Sequence, residues 1–210
     1  MILILASTSP RRYQLLSLLQ IPFLMVPPQT TEKSEAAWSP PEEALCLAKR
    51  KAASLANRFP VAVLLGSDTL INLDGQKIGK PNDQADARRI LGRLRGRTHE
   101  VLTGVALLHP ASGKSFAWVE AVQITMRTFS DAEADAYAAS DESLDKAGAY
   151  CLQATGRLLI ERLKGDYPAA VGLPLKAVVE GLRSFDVRVG GALDVIYQER
   201  NFLNWRTYDP

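Results

Sequence analysis

The sequence predicts an α/β fold built on a mixed, twisted sheet flanked by helices. Two observations carry that prediction. In the first half of the chain, short apolar runs alternate with helical patterns, as in units that place strands side by side with helices over them. In the second half, two long stretches of alternating apolar and polar residues, Thr98 to Leu108 and Ser115 to Phe129, are joined only by the turn residues Pro110-Ala111-Ser112-Gly113. A link that short forces an antiparallel hairpin, so the sheet cannot be purely parallel. The chain has 210 residues, 47% of them apolar and 23% charged. That is enough for one large domain, or two lobes sharing a core, with no need of disulfide staples.

The elements follow in order. Ile2 to Ala6 reads as a buried strand. Ser7-Thr8-Ser9-Pro10 then opens a helix carrying Leu15, Leu16, Leu18 and Leu19, with Ser9 as N-cap and Pro10 at the favoured first position. Pro22 to Pro41 reads as irregular, a loop of the length that often carries function. Glu42 to Asn57 is a helix with Ala44, Leu45, Ala48, Ala52, Leu55 and Ala56 inward. Lys49 and Lys51 both lie at the rim of that apolar side, and helical periodicity does not separate them. Val61 to Leu65 is a buried strand, and the small residues Gly66-Ser67-Asp68-Thr69 read as a turn at its end. Leu70 to Leu73 leads into Asp74-Gly75, a strong hairpin signal. Asn82 or Asp83 caps a helix to about Leu94, with Gly96 as its stop. Ser130-Asp131-Ala132-Glu133 matches a capping box. Asp141 to Gly156 is a polar loop, Leu158 to Leu163 a strand, and Gly172-Leu173-Pro174 starts a helix with Leu175, Val178, Val179 and Leu182 inward. The domain is expected to cover residues 1–189, with 190–210 as an appendage.

Several function classes are disfavoured. The net charge is +2, too small to argue for nucleic acid or a membrane surface. Arg88, Arg89, Arg93, Arg95 and Arg97 form a basic stretch, but no aromatic residues interleave them for stacking on bases. Cys46 and Cys151 lie far apart and outside any C-x-x-C pattern, which suits a reducing, cytoplasmic setting. His99 and His109 are the only histidines, too few for an ordinary zinc site. The apolar start MILILA lacks a basic leader and is too short to span a bilayer. Neither a P-loop nor a dinucleotide-binding glycine motif is present.

What remains is a set of charged residues beside loops. Asp68 follows a buried strand, a costly place for a carboxylate unless its surroundings use it. Arg11 and Arg12 occupy a helix first turn, where the dipole favours an anion, so strand, hydroxyl-rich loop and helix start resemble a phosphate cradle. A solvated basic turn is the plainer reading. Asp68 and Glu32 offer hard oxygen ligands for a metal, while Arg11, Arg12, Lys51 and Lys80 offer partners for phosphate. Together these residues point to hydrolysis of a phosphate ester or phosphoanhydride.

Five segments carry a family resemblance: LASTSPRRYQLL at 5–16, GSDTLINLDGQKIGKP at 66–81, GRTHEVLTGVAL at 96–107, LDKAGAYCLQ at 144–153 and GDYPAAVGLPL at 165–175. In order and nearly gap-free across residues 1–186, they resemble the Maf family of nucleoside triphosphate pyrophosphatases. The resemblance implies two lobes with a nucleotide cleft, similar to inosine triphosphate pyrophosphatase. It implies hydrolysis of dTTP or UTP to monophosphate and diphosphate with Mg²⁺ or Mn²⁺, as in clearing the nucleotide pool, and a homodimer. Asp68 matches the family's catalytic aspartate, and Ser7, Arg12, Glu32, Lys51 and Lys80 match its polar cleft residues, which selects Lys51 over Lys49. Arg11, Thr69 and Gln153 match the subgroup acting on pyrimidines. The sister subgroup acting on 7-methyl-GTP has Trp, Gln and Glu at those places. Cys151 and Ala154 depart from the pyrimidine pattern, which usually has Gly at both. The alternatives are a pyrophosphatase for modified purine triphosphates and a nucleotide-binding regulatory module linked to cell division. Whether Asp68 serves as general base or as metal ligand stays open at this point.

Overall fold

The computed structural model describes residues 2–30, 38–140, 142–202 and 204–208. Glu32, one of the expected metal ligands, lies outside the described residues. Strands β1 (Leu3–Ala6), β2 (Phe23–Val26), β3 (Val63–Leu73), β4 (Gln76–Ile78), β5 (Thr98–His109), β6 (Lys114–Met126) and β7 (Ile160–Lys164) form one sheet. Its order is β2-β1-β3-β5-β6-β7, with β4 added to the far end of β3. β1 runs parallel to both β2 and β3, and every other pairing is antiparallel. The mixed sheet expected from the sequence is therefore the one found. The helices are α1 (Pro10–Ser17), α2 (Pro40–Ala53), α3 (Gln84–Leu94), α4 (Asp131–Ala138), α5 (Tyr167–Val171), α6 (Leu175–Ser184) and α7 (Leu193–Glu199).

Local chemistry explains most boundaries. Ser9 caps α1 with Pro10 in its first turn, and the Asp83 side chain accepts from the Asp86 backbone to cap α3. Ser39 and Glu42 make a reciprocal capping box, so α2 begins two residues before its expected start. Asp74 and Gly75 both take positive φ, 52° and 78°, as a tight hairpin of this type demands. β2 and α5 were absent from the sequence reading. β2 is four residues between prolines and is held by its pairing to β1. α5 is a single turn capped by Asp166.

The placement of Asp68 needs correction. Gly66-Ser67-Asp68-Thr69 is no turn: it is the middle of an 11-residue strand paired with β5 from Leu64 to Asn72. Gly66 reads like a turn residue, but its role is close approach. A Cβ there would lie 2.2 Å from the Ala48 carbonyl oxygen, and one on Gly104, directly opposite Asp68, would lie 2.3 Å from the Ala44 carbonyl oxygen. The two glycines let α2 rest on the strand backbones.

β3 also runs through two hydrophobic cores. Its first part, Val63 to Gly66, pairs with β1, and its last part, Ile71 to Leu73, pairs with β4. Ser67 to Leu70 has β5 on one side and no strand among the described residues on the other. One core lies around β1, α1 and α6, and another gathers α3, α4, β6 and β7. The fork between β1 and β4 lies where the cores meet. The described residues after Val189 pack on both, placing Trp205 and Tyr208 in the second.

Candidate active site

A cleft of about 620 Å³ opens at that fork. Asp68 lies at its base, buried, with its carboxylate oxygen 2.5 Å from the Lys51 ammonium on α2. Lys49, two positions earlier, is exposed. The partnership offsets the cost of burying either charge alone. No described strand pairs with this stretch of β3 on the β1 side, and Asp68 and Thr69, on opposite faces of the strand, both line the cleft.

On the other face runs a directed chain of hydrogen bonds. The Thr103 hydroxyl donates to the Ala169 carbonyl at 2.8 Å, so its oxygen receives the Thr69 hydroxyl at 3.0 Å. Thr69 in turn accepts from the Arg12 guanidinium at 3.2 Å. Arg12 Nε donates to the Gly172 carbonyl at 3.0 Å, and the buried Ser67 hydroxyl lies 2.9 Å from the same oxygen. Arg12 is thus held from two directions with its planar fork fixed. Ser7, buried at the end of β1, accepts from the Ser9 N–H at 3.1 Å and shapes the loop that enters α1. Arg11 is half-buried and Lys80 exposed at the rim, and both line the cleft.

The remaining wall comes from the loop after α4. Gln153 is buried and lines the cleft, and its amide nitrogen has no hydrogen-bond partner among the described residues. A buried donor left unpaired costs about 1–3 kcal/mol, which a ligand acceptor would remove. Nearby, Tyr150 Oη lies 2.7 Å from Nε2 of His99, which is buried in β5. Burial pushes the His99 imidazole from 6.5 down to about 4, so it is neutral at pH 7.

The structure therefore brings Ser7, Arg11, Arg12, Lys51, Asp68, Thr69, Lys80 and Gln153 to one cleft. The family model described as Maf-like protein matches residues 2–185. The chain belongs to the Maf family. The dTTP/UTP pyrophosphatase of Bacillus velezensis is 39% identical over 186 residues, 89% of this chain and 97% of that protein. The one from Bacillus cytotoxicus is 40% identical over 183 residues, 87% of this chain and 95% of that protein. Among solved structures, the Ham1 protein of Staphylococcus aureus has a TM-score of 0.50 at 12% identity, covering 88% of this chain and 97% of that one. That likeness concerns the fold alone.

Within this Maf cleft, sequence reasoning missed Glu43. Its carboxylate is buried, lines the cleft and pairs with Lys77 of β4. A signal was present: Glu43, Leu47 and Lys51 recur every four residues, one stripe of α2. The Maf chain's Ala154 is also explained. It adopts φ 58°, a left-handed conformation that glycine takes without strain and that costs alanine roughly 1–2 kcal/mol. Cys151 is buried in the same wall and narrows it. The arginines near α3 do not present an open basic face. Arg88 pairs with Asp135, Arg97 with Asp74, Arg89 with Asp86 at 2.5 Å and Arg95 with Asp131 at 2.7 Å.

Proposed function

We propose that this chain hydrolyses nucleoside triphosphates, dTTP and UTP foremost, to the nucleoside monophosphate and diphosphate. The observation that carries the proposal is the buried Lys51–Asp68 pair at the base of a cleft bordered by Arg11, Arg12 and Lys80. The names of the Bacillus relatives, dTTP/UTP pyrophosphatases, support it.

In this reading a water attacks the α-phosphorus, the α–β anhydride bond breaks, and diphosphate leaves. Asp68 orients the water, either as its proton acceptor or as a ligand of the metal that would activate it, while Lys51 fixes the carboxylate. Arg12, held by Gly172 and Thr69, faces the charge that grows on the phosphates, and a preorganised cation of this kind stabilises the transition state without rearranging. Lys80 and Arg11 add charge at the rim. Gln153 presents one donor and one acceptor, which suits the carbonyl and imide N–H of uracil or thymine.

Mg²⁺ or Mn²⁺ fits the donors. Among the described residues no three His, Cys, Asp or Glu side chains cluster to hold a metal. Magnesium needs only one or two carboxylates, because substrate phosphates and water complete its shell. Asp68 would hold it together with Glu32, which the resemblance supplies. When bound it would screen the phosphates and sharpen the nucleophile. The paired arginines near α3 favour a nucleotide over a nucleic acid as partner. Two free cysteines agree with a cytoplasmic location, and no helix among the described residues is long and apolar enough to cross a membrane. Assembly as a homodimer remains part of the proposal.

The test is a panel of dTTP, UTP, dITP and 7-methyl-GTP with each metal, scored by diphosphate release. The pyrimidine triphosphates should lead, and Asp68→Asn should lower turnover by at least ~100-fold while nucleotide binding persists. Unchanged turnover in that variant would sink the proposal, and a lead for 7-methyl-GTP would move it to the purine alternative.

A further inference from the structure

The family match ends at residue 185, yet the residues beyond it reach the cleft wall. Trp205 and Tyr208 are 5% and 8% exposed. The Trp205 indole stacks on the Tyr167 ring, centroids 5.6 Å apart and planes 15° from parallel, and Tyr208 packs on the same ring at 5.4 Å. Tyr197 on α7 donates to the Asp166 carboxylate at 2.6 Å, tying the tail to the cap of α5. Arg157 Nε donates to the Thr207 hydroxyl at 3.3 Å. Between these anchors, the Tyr208 hydroxyl donates to the Leu152 carbonyl at 3.1 Å, out of contact with solvent.

That last bond acts on Gln153. The carbonyl oxygen of Leu152 and the nitrogen and Cα of Gln153 share one rigid peptide plane. A donor fixed on the oxygen therefore sets where the Gln153 side chain begins. On its other flank Ala154 is already in the left-handed region at φ 58°, a conformation with few neighbours to relax into. The Gln153 amide nitrogen is buried and has no hydrogen-bond partner among the described residues, so no described hydrogen bond orients that donor. We propose that Tyr208, from the segment outside the family match, is a positioning residue for base selection, holding Gln153 through the Leu152 carbonyl. The inference rests on the reading of Gln153 as the residue that meets the pyrimidine.

The test is Tyr208→Phe in the full chain, alone and combined with Gln153→Ala, assayed on dTTP and dITP. Phenylalanine keeps the ring that packs on Tyr167 and removes only the donor. The expected result is a KM for dTTP raised roughly three- to ten-fold, the worth of one net hydrogen bond, with kcat nearly unchanged. The preference for dTTP over dITP should fall by the same factor. In the Gln153→Ala background the substitution should have no further effect on that preference. The preference is a ratio taken within one sample, so a loss of folded protein cancels from it. An unchanged preference in Tyr208→Phe, or an equal loss with and without Gln153, makes the contact merely structural and overturns the inference alone. A wild-type enzyme that does not prefer dTTP overturns the pyrimidine reading, and this inference with it.

Discussion

Replacing Lys51 by methionine isolates the energetics of the cleft base. Methionine has a similar length and no charge, so the packing of α2 survives while Asp68 loses the ammonium 2.5 Å from its oxygen. The two residues are only 5% and 7% exposed, so water does little to screen the loss. Removing one member of a buried pair costs about 3–5 kcal/mol. For a chain of this size each kcal/mol moves the melting temperature by roughly 2–4 °C, which gives a fall of about 6–20 °C. Replacing both members, Lys51→Met with Asp68→Leu, removes both charges of the pair and should recover most of the stability lost in the single variant. Urea titration of the three proteins measures this, with a shift in midpoint at constant slope as the signature. A single variant that loses under ~1 kcal/mol, or a double variant as unstable as the single, would refute the assignment of the pair as a buried, mutually dependent unit.

Two further outcomes concern the frame around the site. Gly66→Ala should cost about 3 kcal/mol or more, since its Cβ would meet backbone rather than a movable side chain. Gly79→Ala, with nothing within 4 Å of the added atom, should leave the denaturation midpoint nearly unchanged, and equal effects would contradict the close approach of α2. His99 gives a pH signature. Its imidazole is held down to about 4 in the fold against 6.5 outside it, so below 6.5 the unfolded chain binds a proton that the folded chain refuses. The stability it contributes is complete above about pH 6.5 and is lost as pH falls towards 4, by about 3 kcal/mol. His99→Gln should flatten that part of a stability–pH curve, and an identical slope in the variant would be the contrary result.

Elements defined by local chemistry were legible in the sequence. Ser9-Pro10, Asp83, Ser130 with Glu133, and Asp74-Gly75 each announce a cap or turn through side-chain and φ requirements that tertiary structure left intact. The long hairpin of β5 and β6 was legible because its alternation runs far beyond chance. β2 was not, since four residues between prolines carry no period and depend on β1 for their hydrogen bonds. Gly66 misled for a related reason. Glycine marks a turn and a close contact alike, and only the position of α2 decides between them. In the cleft, residue type pointed to Asp68 and Arg12, while Gln153 and the choice of Lys51 over Lys49 came only from the family resemblance, since periodicity at a helix rim does not reveal that Lys51 is buried and Lys49 exposed. Glu43 was overlooked because a carboxylate one turn into a helix reads as a partner for the helix dipole. The tail gave no periodic signal, and its contribution comes from aromatic rings that meet Tyr167 across a long sequence separation.

Because α2 lies directly on the main chains of β3 and β5, the span between Lys51 and Asp68 is set by two backbones in contact rather than by the rotamers of intervening side chains. A spacing of that kind has little thermal give. It is also insulated from substitutions on the outer surface of the helix. The wall bearing Gln153, by contrast, is a loop steadied by a few hydrogen bonds, two of them to the segment past residue 185. If the proposed roles of Asp68 and Gln153 hold, reaction geometry and ligand preference belong to parts of the molecule with different tolerance for change. On the proposed reading, a lineage can redesign what the cleft admits, by loop or by tail, while the carboxylate that activates the water keeps its place.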